Sequence, residues 1–354
     1  MTNTISVKDF NPDQIVPGSC SNWQLTFETA EDVEAMIPLR VVKGASAGPT
    51  LLILAAVHGD EYDGVQTVIE LCHELTPEKI NGTVLMVPIT NKLSYEGISR
   101  ETPLDGRNLA REFPGSPEGT YTQRLAWHLD QTLLAKADFL LDFHSGGMIA
   151  SVPTLAGYYH NDEHEHGRRS RAAAEAFGVD TIWAHSTVGP GRTVSRATDR
   201  GIPWLYTETE GGRRVCIEGQ QQYRKGTYRL LHHLEMLREP EAWLSEEACP
   251  EIKYRLYGDG NFDLSVTSKE EGFFIPSVKL LDEVKAGDLI GIIYGLFGEI
   301  KEKVISPQDG IMIGITVMPK VDKGGVICAI TQDYDNVVSS EGKDLWKAID
   351  LRNG

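Results

Sequence analysis

The chain has 354 residues, with 34 lysines and arginines against 51 aspartates and glutamates, and a formal net charge of −17 at pH 7. This length allows about two domains with a substantial hydrophobic core. Charged residues make up 24% of the chain and are interspersed with regular apolar runs, which excludes a disordered protein. The acidic balance argues against nucleic acid as a partner, because phosphate binding requires clustered lysines and arginines.

The first residues and the cysteines predict a cytoplasmic protein. The opening ten residues lack the basic segment and apolar stretch of a secretory signal. No run approaches the roughly 20 apolar residues that cross a bilayer, so we expect no membrane partner. The five cysteines are odd in number and scattered, without a CxxC pair, which is typical of a reducing compartment.

Strand and helix patterns alternate along most of the chain. Residues 1–48 contain short alternating apolar stretches that suit edge strands. The predicted buried strands that follow are 50–57, 83–89, 137–143 and 203–207. The predicted helices are 61–75, 120–136, 164–177 and 219–237. This alternation predicts an α/β domain over residues 1–240, with helices on both faces of the sheet.

The sequence changes character after Pro240. Residues 250–335 contain short strand candidates separated by glycine turns and show no helical period, which predicts a small all-β domain over residues 250–340. This part resembles the β-sandwich of biotinyl and lipoyl carrier domains, but its hairpin 294–299 has no lysine to carry a cofactor. We therefore expect it to act as a lid or in the formation of a homo-oligomer.

A histidine and a glutamate follow the strand 50–57 in the motif VHGDE. His58 and Glu61 stand three residues apart, so a tight loop that opens a helix can turn both toward one point, and Gly59 lets the backbone come close. An imidazole and a carboxylate form a ligand pair suited to zinc. Considered by itself, such a pair is more commonly a helix cap than a metal site.

Two further strand ends strengthen the metal hypothesis. His144 follows the strand 137–143 in the motif DFHSGG, and Asp142 could orient it. Groups outside the carboxyl ends of strands in an open α/β sheet can converge over long sequence separations. Two histidines and one carboxylate are a recurrent catalytic zinc set, so we predict one zinc ion per chain, held by His58, Glu61 and His144.

Glu208 ends the apolar strand 203–207 and is the predicted catalytic carboxylate. Hydrolysis of an amide requires a carboxylate that takes a proton from the attacking water and passes it to the leaving amine. Glu210 is the second choice, and the alternative is that both are solvated loop charges.

The motifs HGDE at 58–61, DGRNLAREFPG at 105–115 and DFHSGG at 142–147, with Glu208 before a glycine pair, occur in one order along the chain. In this combination the sequence resembles the succinylglutamate desuccinylase and aspartoacylase family, zinc deacylases related to the zinc carboxypeptidases. The resemblance implies a mixed sheet flanked by helices, followed by a small carrier-domain-like β-sandwich. It also implies zinc-dependent hydrolysis of the amide bond of an N-acyl amino acid.

The resemblance implies roles for residues that precede DFHSGG. Arg100 would stabilise the developing oxyanion, Arg111 would hold the substrate carboxylate, and Asn108 would contact the substrate. A guanidinium suits these roles because it grips a carboxylate with two N–H groups and carries a fixed positive charge. Arg192, in the loop GPGR, is a further candidate for the carboxylate, with a surface charge as the equal alternative.

Two departures from the family pattern concern the substrate. Ala110 stands where the family has an asparagine, and Glu210 stands where the relatives have glycine. An acidic Glu210 near the pocket would suit an amino group, so we expect an N-acetylated amino acid with a cationic or neutral side chain. N-acetyl-2,4-diaminobutyrate is the specific candidate. The alternatives are a metallocarboxypeptidase that acts on peptide C-termini and a non-catalytic protein that binds acyl amino acids.

Overall fold

The computed structural model describes residues 2–29, 33–260 and 266–333. It confirms the predicted fold class, a large mixed sheet flanked by helices with a small antiparallel sheet near the C-terminus. The strands are β1 (Thr2–Ser6), β2 (Ser19–Thr26), β3 (Met36–Lys43), β4 (Thr50–Leu54), β5 (Thr83–Val87), β6 (Phe139–Phe143), β7 (Ala150–Ser151), β8 (Leu155–Tyr159), β9 (Thr181–His185), β10 (Trp204–Glu208), β11 (Tyr254–Tyr257), β12 (Val266–Thr267), β13 (Gly272–Pro276), β14 (Glu283–Val284), β15 (Leu289–Tyr294), β16 (Ile300–Ile305), β17 (Gly310–Thr316), β18 (Lys320–Val321) and β19 (Val326–Asp333).

The α-helices are α1 (Asp63–Glu74), α2 (Lys92–Glu96), α3 (Tyr121–His128), α4 (Glu165–Phe177), α5 (Thr193–Asp199), α6 (Ile217–His233) and α7 (Ala242–Glu246). The helix expected over 120–136 is not uniform. Its α-helical part ends at His128 and continues as one π-helical stretch, Leu129–Leu133, and a 3-10 turn, Leu134–Lys136. Among the described residues, no helix is long and apolar enough to cross a membrane.

The centre of the large sheet is parallel. Its strand order is β1-β2-β3-β5-β4-β6-β10-β8-β9-β11-β19-β17-β14. Strand β6 lies between β4 and β10 and runs parallel to both, with Leu141 opposite Ile53 on one side and Leu205 on the other. The carboxyl ends of these three strands therefore meet at one edge of the sheet.

Alternating side chains of the central strands enter two hydrophobic cores, one on each face of the sheet. Leu52, Leu140 and Trp204 pack against α3 and α5 on one face. On the other face, Ile53 and Leu141 belong to the core that α1, α4 and α6 cover. Burial on both faces explains why these strands are continuous apolar runs in the sequence.

The C-terminal strands extend the large sheet as well as forming their own. Strand β11 pairs in parallel with β9 and antiparallel with β19. The separate antiparallel sheet has the order β16-β15-β13-β18. Its tight hairpin carries Leu296 and Phe297 at the tip, both almost fully exposed. The division into domains at 1–240 and 250–340 stays a prediction.

Candidate active site

The predicted metal ligands and the predicted catalytic carboxylate lie at the ends of three adjacent strands, β4, β6 and β10. Strand β4 ends at Leu54, earlier than expected, because Ala56 takes a left-handed conformation with φ of 51° and turns the chain out of the sheet before His58. His144 comes directly after β6, and Glu208 is the last residue of β10. The three strand ends thus bring together residues that are far apart in the sequence.

His58, Glu61 and His144 form a compact group in which Glu61 lies between the two imidazoles. Nδ1 of His58 lies 2.8 Å from Oε1 of Glu61, and Nδ1 of His144 lies 2.9 Å from its Oε2. The possible ligand atoms all lie within 4.8 Å of one another. Two imidazoles and one carboxylate are the donor chemistry of a catalytic zinc site, so these residues could hold a zinc ion.

The close contacts within this group shift the pKa values of its three members. Burial alone would raise the pKa of Glu61, but the neighbouring His58 and His144 lower it below its usual range. Burial lowers the pKa of His58, and the positive charge of Arg100 adds to this effect. Although burial opposes it, the carboxylates of Asp142 and Glu61 raise the pKa of His144 well above its usual value.

The loops that carry the group are held by close backbone contacts. A Cβ atom at Gly59 would overlap the backbone of Ser94, so only glycine allows this approach. The amide of Ser145 donates to Oε2 of Glu61 over 3.2 Å, and the amide of Met148 donates to Oδ2 of Asp60 over 2.9 Å. These hydrogen bonds hold the loop after β4 and the loop after β6 in a fixed position relative to each other.

Arg100 and Asn108 both reach the group of three. Nη1 of Arg100 donates to Oε1 of Glu61 over 3.3 Å, which places a guanidinium beside the candidate metal ligands. Oδ1 of Asn108 lies 3.1 Å from Nε2 of His58 and accepts a hydrogen bond from the amide of Ala110 over 2.9 Å. Asn108 thus contacts a candidate ligand, and it is not among the cavity-lining residues described below.

Glu208 is a half-buried residue whose carboxyl group lines the same cavity and whose Oε2 is shielded from solvent. Burial, reinforced by the negative charge of Glu61, raises its pKa to about 8. Its Oε2 has no hydrogen-bond partner within the described part of the chain. A shielded carboxylate oxygen without a structural partner, on a group with a raised pKa, is typical of a catalytic acid or base.

The cavity extends beyond the candidate metal group. Arg111 and Arg192, predicted as contacts of the substrate carboxylate, both line it. The loop of Arg192 packs on that of Arg111, since the amide of Phe113 donates to the carbonyl of Gly191 over 3.0 Å. The remaining predicted site residues on the wall are His58, Arg100, His144 and Glu208.

Three other residues of the wall, His185, Tyr206 and Asp259, were missed in the sequence. Tyr206 could have been found, because side chains two residues apart on a strand share a face and Tyr206 stands two residues before Glu208. His185 ends β9, which the sequence pattern did not identify. Asp259 follows β11, in a region predicted to be a separate unit.

The expectation that Glu210 lies near the pocket is wrong. Glu210 comes after the end of β10, is 44% exposed and accepts a hydrogen bond from Nη2 of Arg214 over 2.6 Å. Because it lies beyond the strand, the alternation that directs Glu208 into the cavity does not extend to it. Asp259, which the sequence did not predict, lines the cavity together with Glu208 and Asp142, whereas Glu210 does not.

Comparison with known proteins places this arrangement in a family. Residues 47–234, more than half of the chain, match the succinylglutamate desuccinylase/aspartoacylase catalytic domain. A curated relative, the N-alpha-acetyl-L-2,4-diaminobutyric acid deacetylase of Halomonas elongata, is 29% identical over 305 residues, which cover 85% of this chain and 87% of the relative.

Solved structures share the fold over almost the whole chain. A succinylglutamate desuccinylase/aspartoacylase from Rhodobacter sphaeroides is 28% identical with a TM-score of 0.79, covering 92% of this chain and 98% of that one. The product-bound ectoine utilization protein EutE (DoeB) from Ruegeria pomeroyi is 26% identical, also with a TM-score of 0.79, over 90% and 98%. The chain therefore belongs to the succinylglutamate desuccinylase/aspartoacylase family of deacylase enzymes.

Proposed function

We propose that the protein is a zinc-dependent amidohydrolase that removes the acetyl group of N-α-acetyl-2,4-diaminobutyrate. The observation that carries this proposal is the convergence of His58, Glu61 and His144 with the carboxyl group of Glu208 at the ends of three adjacent parallel strands. Family membership supports the reaction. The named substrate of the relative from Halomonas elongata supports the choice of amino acid.

His58, Glu61 and His144 would hold the metal. Their two imidazoles and one carboxylate fit zinc, and the cavity gives a substrate access to two of them, His58 and His144. When bound there, zinc would supply Lewis-acid polarisation of the acyl carbonyl and of a water molecule.

Glu208 would move the proton. Its carboxylate takes a proton from the attacking water while the water oxygen forms a bond to the acyl carbon. The same carboxyl group then donates this proton to the amide nitrogen as the carbon–nitrogen bond breaks, leaving acetate and the free amino acid. The raised pKa makes Glu208 a stronger base than an ordinary carboxylate, and a cation bound by the adjacent residues would keep Glu208 ionised before it accepts the proton.

Different arginines would bind the two negative charges of the reacting substrate, the developing oxyanion and the α-carboxylate. Arg100 lies beside Glu61 and is therefore placed to stabilise the oxyanion that develops on the acyl carbonyl. Arg111 and Arg192 line the same cavity and would hold the α-carboxylate of the substrate. Asn108 would act through His58, whose ring nitrogen it contacts.

The test uses the full chain, stripped with a chelator and reloaded with zinc. It is assayed with N-α-acetyl-2,4-diaminobutyrate, N-acetylaspartate and N-succinylglutamate, and the released acid is measured. We expect release of acetate from the first substrate, dependent on the metal. Absence of hydrolysis of all three would overturn the proposal, and faster release of C-terminal residues from N-acetylated dipeptides would favour the carboxypeptidase alternative.

A further inference from the structure

Tyr206 lies across a neighbouring strand rather than simply facing the cavity. Its ring covers Gly157 of β8, where a Cβ atom would overlap the ring atoms. Because glycine leaves this space, the Tyr206 hydroxyl reaches over β8 to β9, where it lies 2.9 Å from Nε2 of His185. The hydroxyl is therefore held at a fixed place in the cavity wall.

The direction of the hydrogen bonds follows from the partner of His185. Nδ1 of His185 lies 2.7 Å from the carbonyl oxygen of Gly258, which can only accept, so Nδ1 carries the hydrogen and donates. Burial lowers the pKa of His185 to about 4, so its ring is neutral and Nε2 is an acceptor. The hydroxyl of Tyr206 must then donate to Nε2, and it offers only oxygen lone pairs to the cavity.

The backbone contact at Gly258 also positions the next residue. Asp259 and Gly260 line the cavity together with Tyr206 and His185, and a Cβ atom at Gly260 would lie 3.1 Å from Cε1 of His185. Burial and the carboxylate of Glu208 keep the pKa of Tyr206 well above its usual value, although the positive charge of Arg192 opposes them, so the phenol stays protonated.

This side of the cavity lies apart from the candidate metal group in the sheet. His58 follows β4 and His144 follows β6, whereas His185 ends β9 and Asp259 follows β11, on the far side of β10. An aspartate carboxylate and a phenol oxygen with a committed hydrogen are both acceptors, and an ammonium group has three N–H donors. Arg192 lines the same cavity, and its guanidinium group is suited to binding a carboxylate.

We propose that Tyr206 and Asp259 form a subsite for a side-chain ammonium group of the substrate, and that Asp259 determines the specificity for it. This inference rests on the proposed amidohydrolase function and adds the contact that selects a cationic N-acyl amino acid. His185 is a positioning residue, which acts by orienting the hydroxyl of Tyr206. The arginines and the acceptor pair together fit a substrate that carries one carboxylate and one ammonium group.

The test compares two substrates of nearly equal shape on the zinc-loaded full chain. N-α-acetyl-2,4-diaminobutyrate carries the ammonium group, and N-acetylnorvaline replaces it with a methyl group. We expect the wild-type ratio of kcat/KM for the two to be roughly 100 in favour of the ammonium substrate. In Asp259→Asn this ratio should fall by about 10-fold or more, and Tyr206→Phe should lower it in the same direction.

The matched control is Asp199→Asn, the same chemical change at an exposed aspartate outside the cavity, for which the ratio should not move. Melting temperatures of all variants are measured alongside. If Asp259→Asn lowers kcat/KM for both substrates by the same factor, Asp259 orients the site but does not bind the ammonium group, and the inference is wrong. A wild-type ratio near one would also overturn it. Failure of wild type on both substrates would instead remove the amidohydrolase function itself.

Discussion

Oδ2 of Asp142 lies 3.3 Å from Nε2 of His144 and accepts a hydrogen bond from the hydroxyl of Thr193. Asp142 is fully buried in β6, two residues before the histidine that it contacts. The opposite nitrogen of the same ring, Nδ1, faces Glu61. Asp142 therefore fixes which nitrogen of His144 is directed toward the candidate metal group, as carboxylates that contact a ligand histidine commonly do.

Removal of this carboxylate should weaken metal binding. We expect Asp142→Ala to lower the zinc affinity by about 10–100-fold, because the ring of His144 loses its orientation and basicity. Thr193→Ala should give a smaller loss, since Asp142 remains but is less firmly held. Competition with a chromophoric chelator measures both affinities. Wild-type affinity in Asp142→Ala would contradict this role.

A pair of glutamates two residues apart tests the catalytic carboxylate. Glu208→Gln should lower kcat by about 10²–10⁴-fold, because amide hydrolysis loses the group that transfers the proton. The zinc content, measured by elemental analysis, should not change. Glu210→Gln is the matched control and should stay within about twofold of wild type, since Glu210 is exposed and contacts Arg214. Equal losses of kcat in the two variants would show that Glu208 is not the catalytic carboxylate.

The stability of the protein should decrease below neutral pH because of a buried histidine far from the site. Burial lowers the pKa of His128 to about 4, whereas its ordinary value is 6.5. Between these values the unfolded state binds more protons than the folded state, so stability is present at higher pH and is lost as the pH falls from 6.5 to 4. His128 alone should make the protein about 2 kcal/mol less stable at pH 5 than at pH 8.

Urea unfolding of the metal-free protein at the two pH values measures this difference. His128→Gln should reduce it by most of that amount, because glutamine does not titrate. His232→Gln, at an exposed position on α6, should leave the difference as it is in wild type. An unchanged difference in His128→Gln would show that other groups cause the pH dependence.

The buried ion pairs of Asp130 join the segment after α3 to α5. Oδ1 of Asp130 accepts from Nε of Arg196 over 2.9 Å and from Nε of Arg200 over 2.7 Å. Asp130→Ala should lower the free energy of unfolding by about 3 kcal/mol, because both guanidinium groups lose a fully buried partner. Asp322→Ala removes an exposed pair with Lys320 and should cost less than about 0.5 kcal/mol. Comparable urea midpoints for these two variants would contradict this expectation.

The part of the site that the sequence predicted is the part that lies at strand ends. Uninterrupted apolar runs identify β4, β6 and β10, and the polar residue after each run must lie at the edge of the sheet. The parallel order of these strands brings His58, His144 and Glu208 together. The cytoplasmic location and a homo-oligomer stay predictions from the sequence.

The other side of the cavity could not be predicted in this way, for physical reasons that differ between residues. The contact between His185 and Tyr206 depends on the pairing of β8 between β9 and β10, which no local pattern encodes. Asp259 reaches the cavity only because β11 pairs with β9 over a long sequence separation. Glu210 was expected there from its position in the family pattern, shortly after Glu208, but it lies beyond the end of β10 and no strand directs it into the cavity.

Because β11 pairs with β9, residues from the region after position 250 form part of the cavity wall. The strands that carry the reacting groups are therefore different from the strand that precedes this part of the wall. Strands β4, β6 and β10 precede the residues that would hold the metal and transfer the proton, whereas β11 precedes the loop 258–260. If Asp259 selects the substrate as proposed, a change in that loop alters which substrate the cavity accepts without displacing the reacting groups. Substrate selectivity could then diverge while the reaction is retained, and a chain that ends at residue 240 would lack this part of the cavity wall.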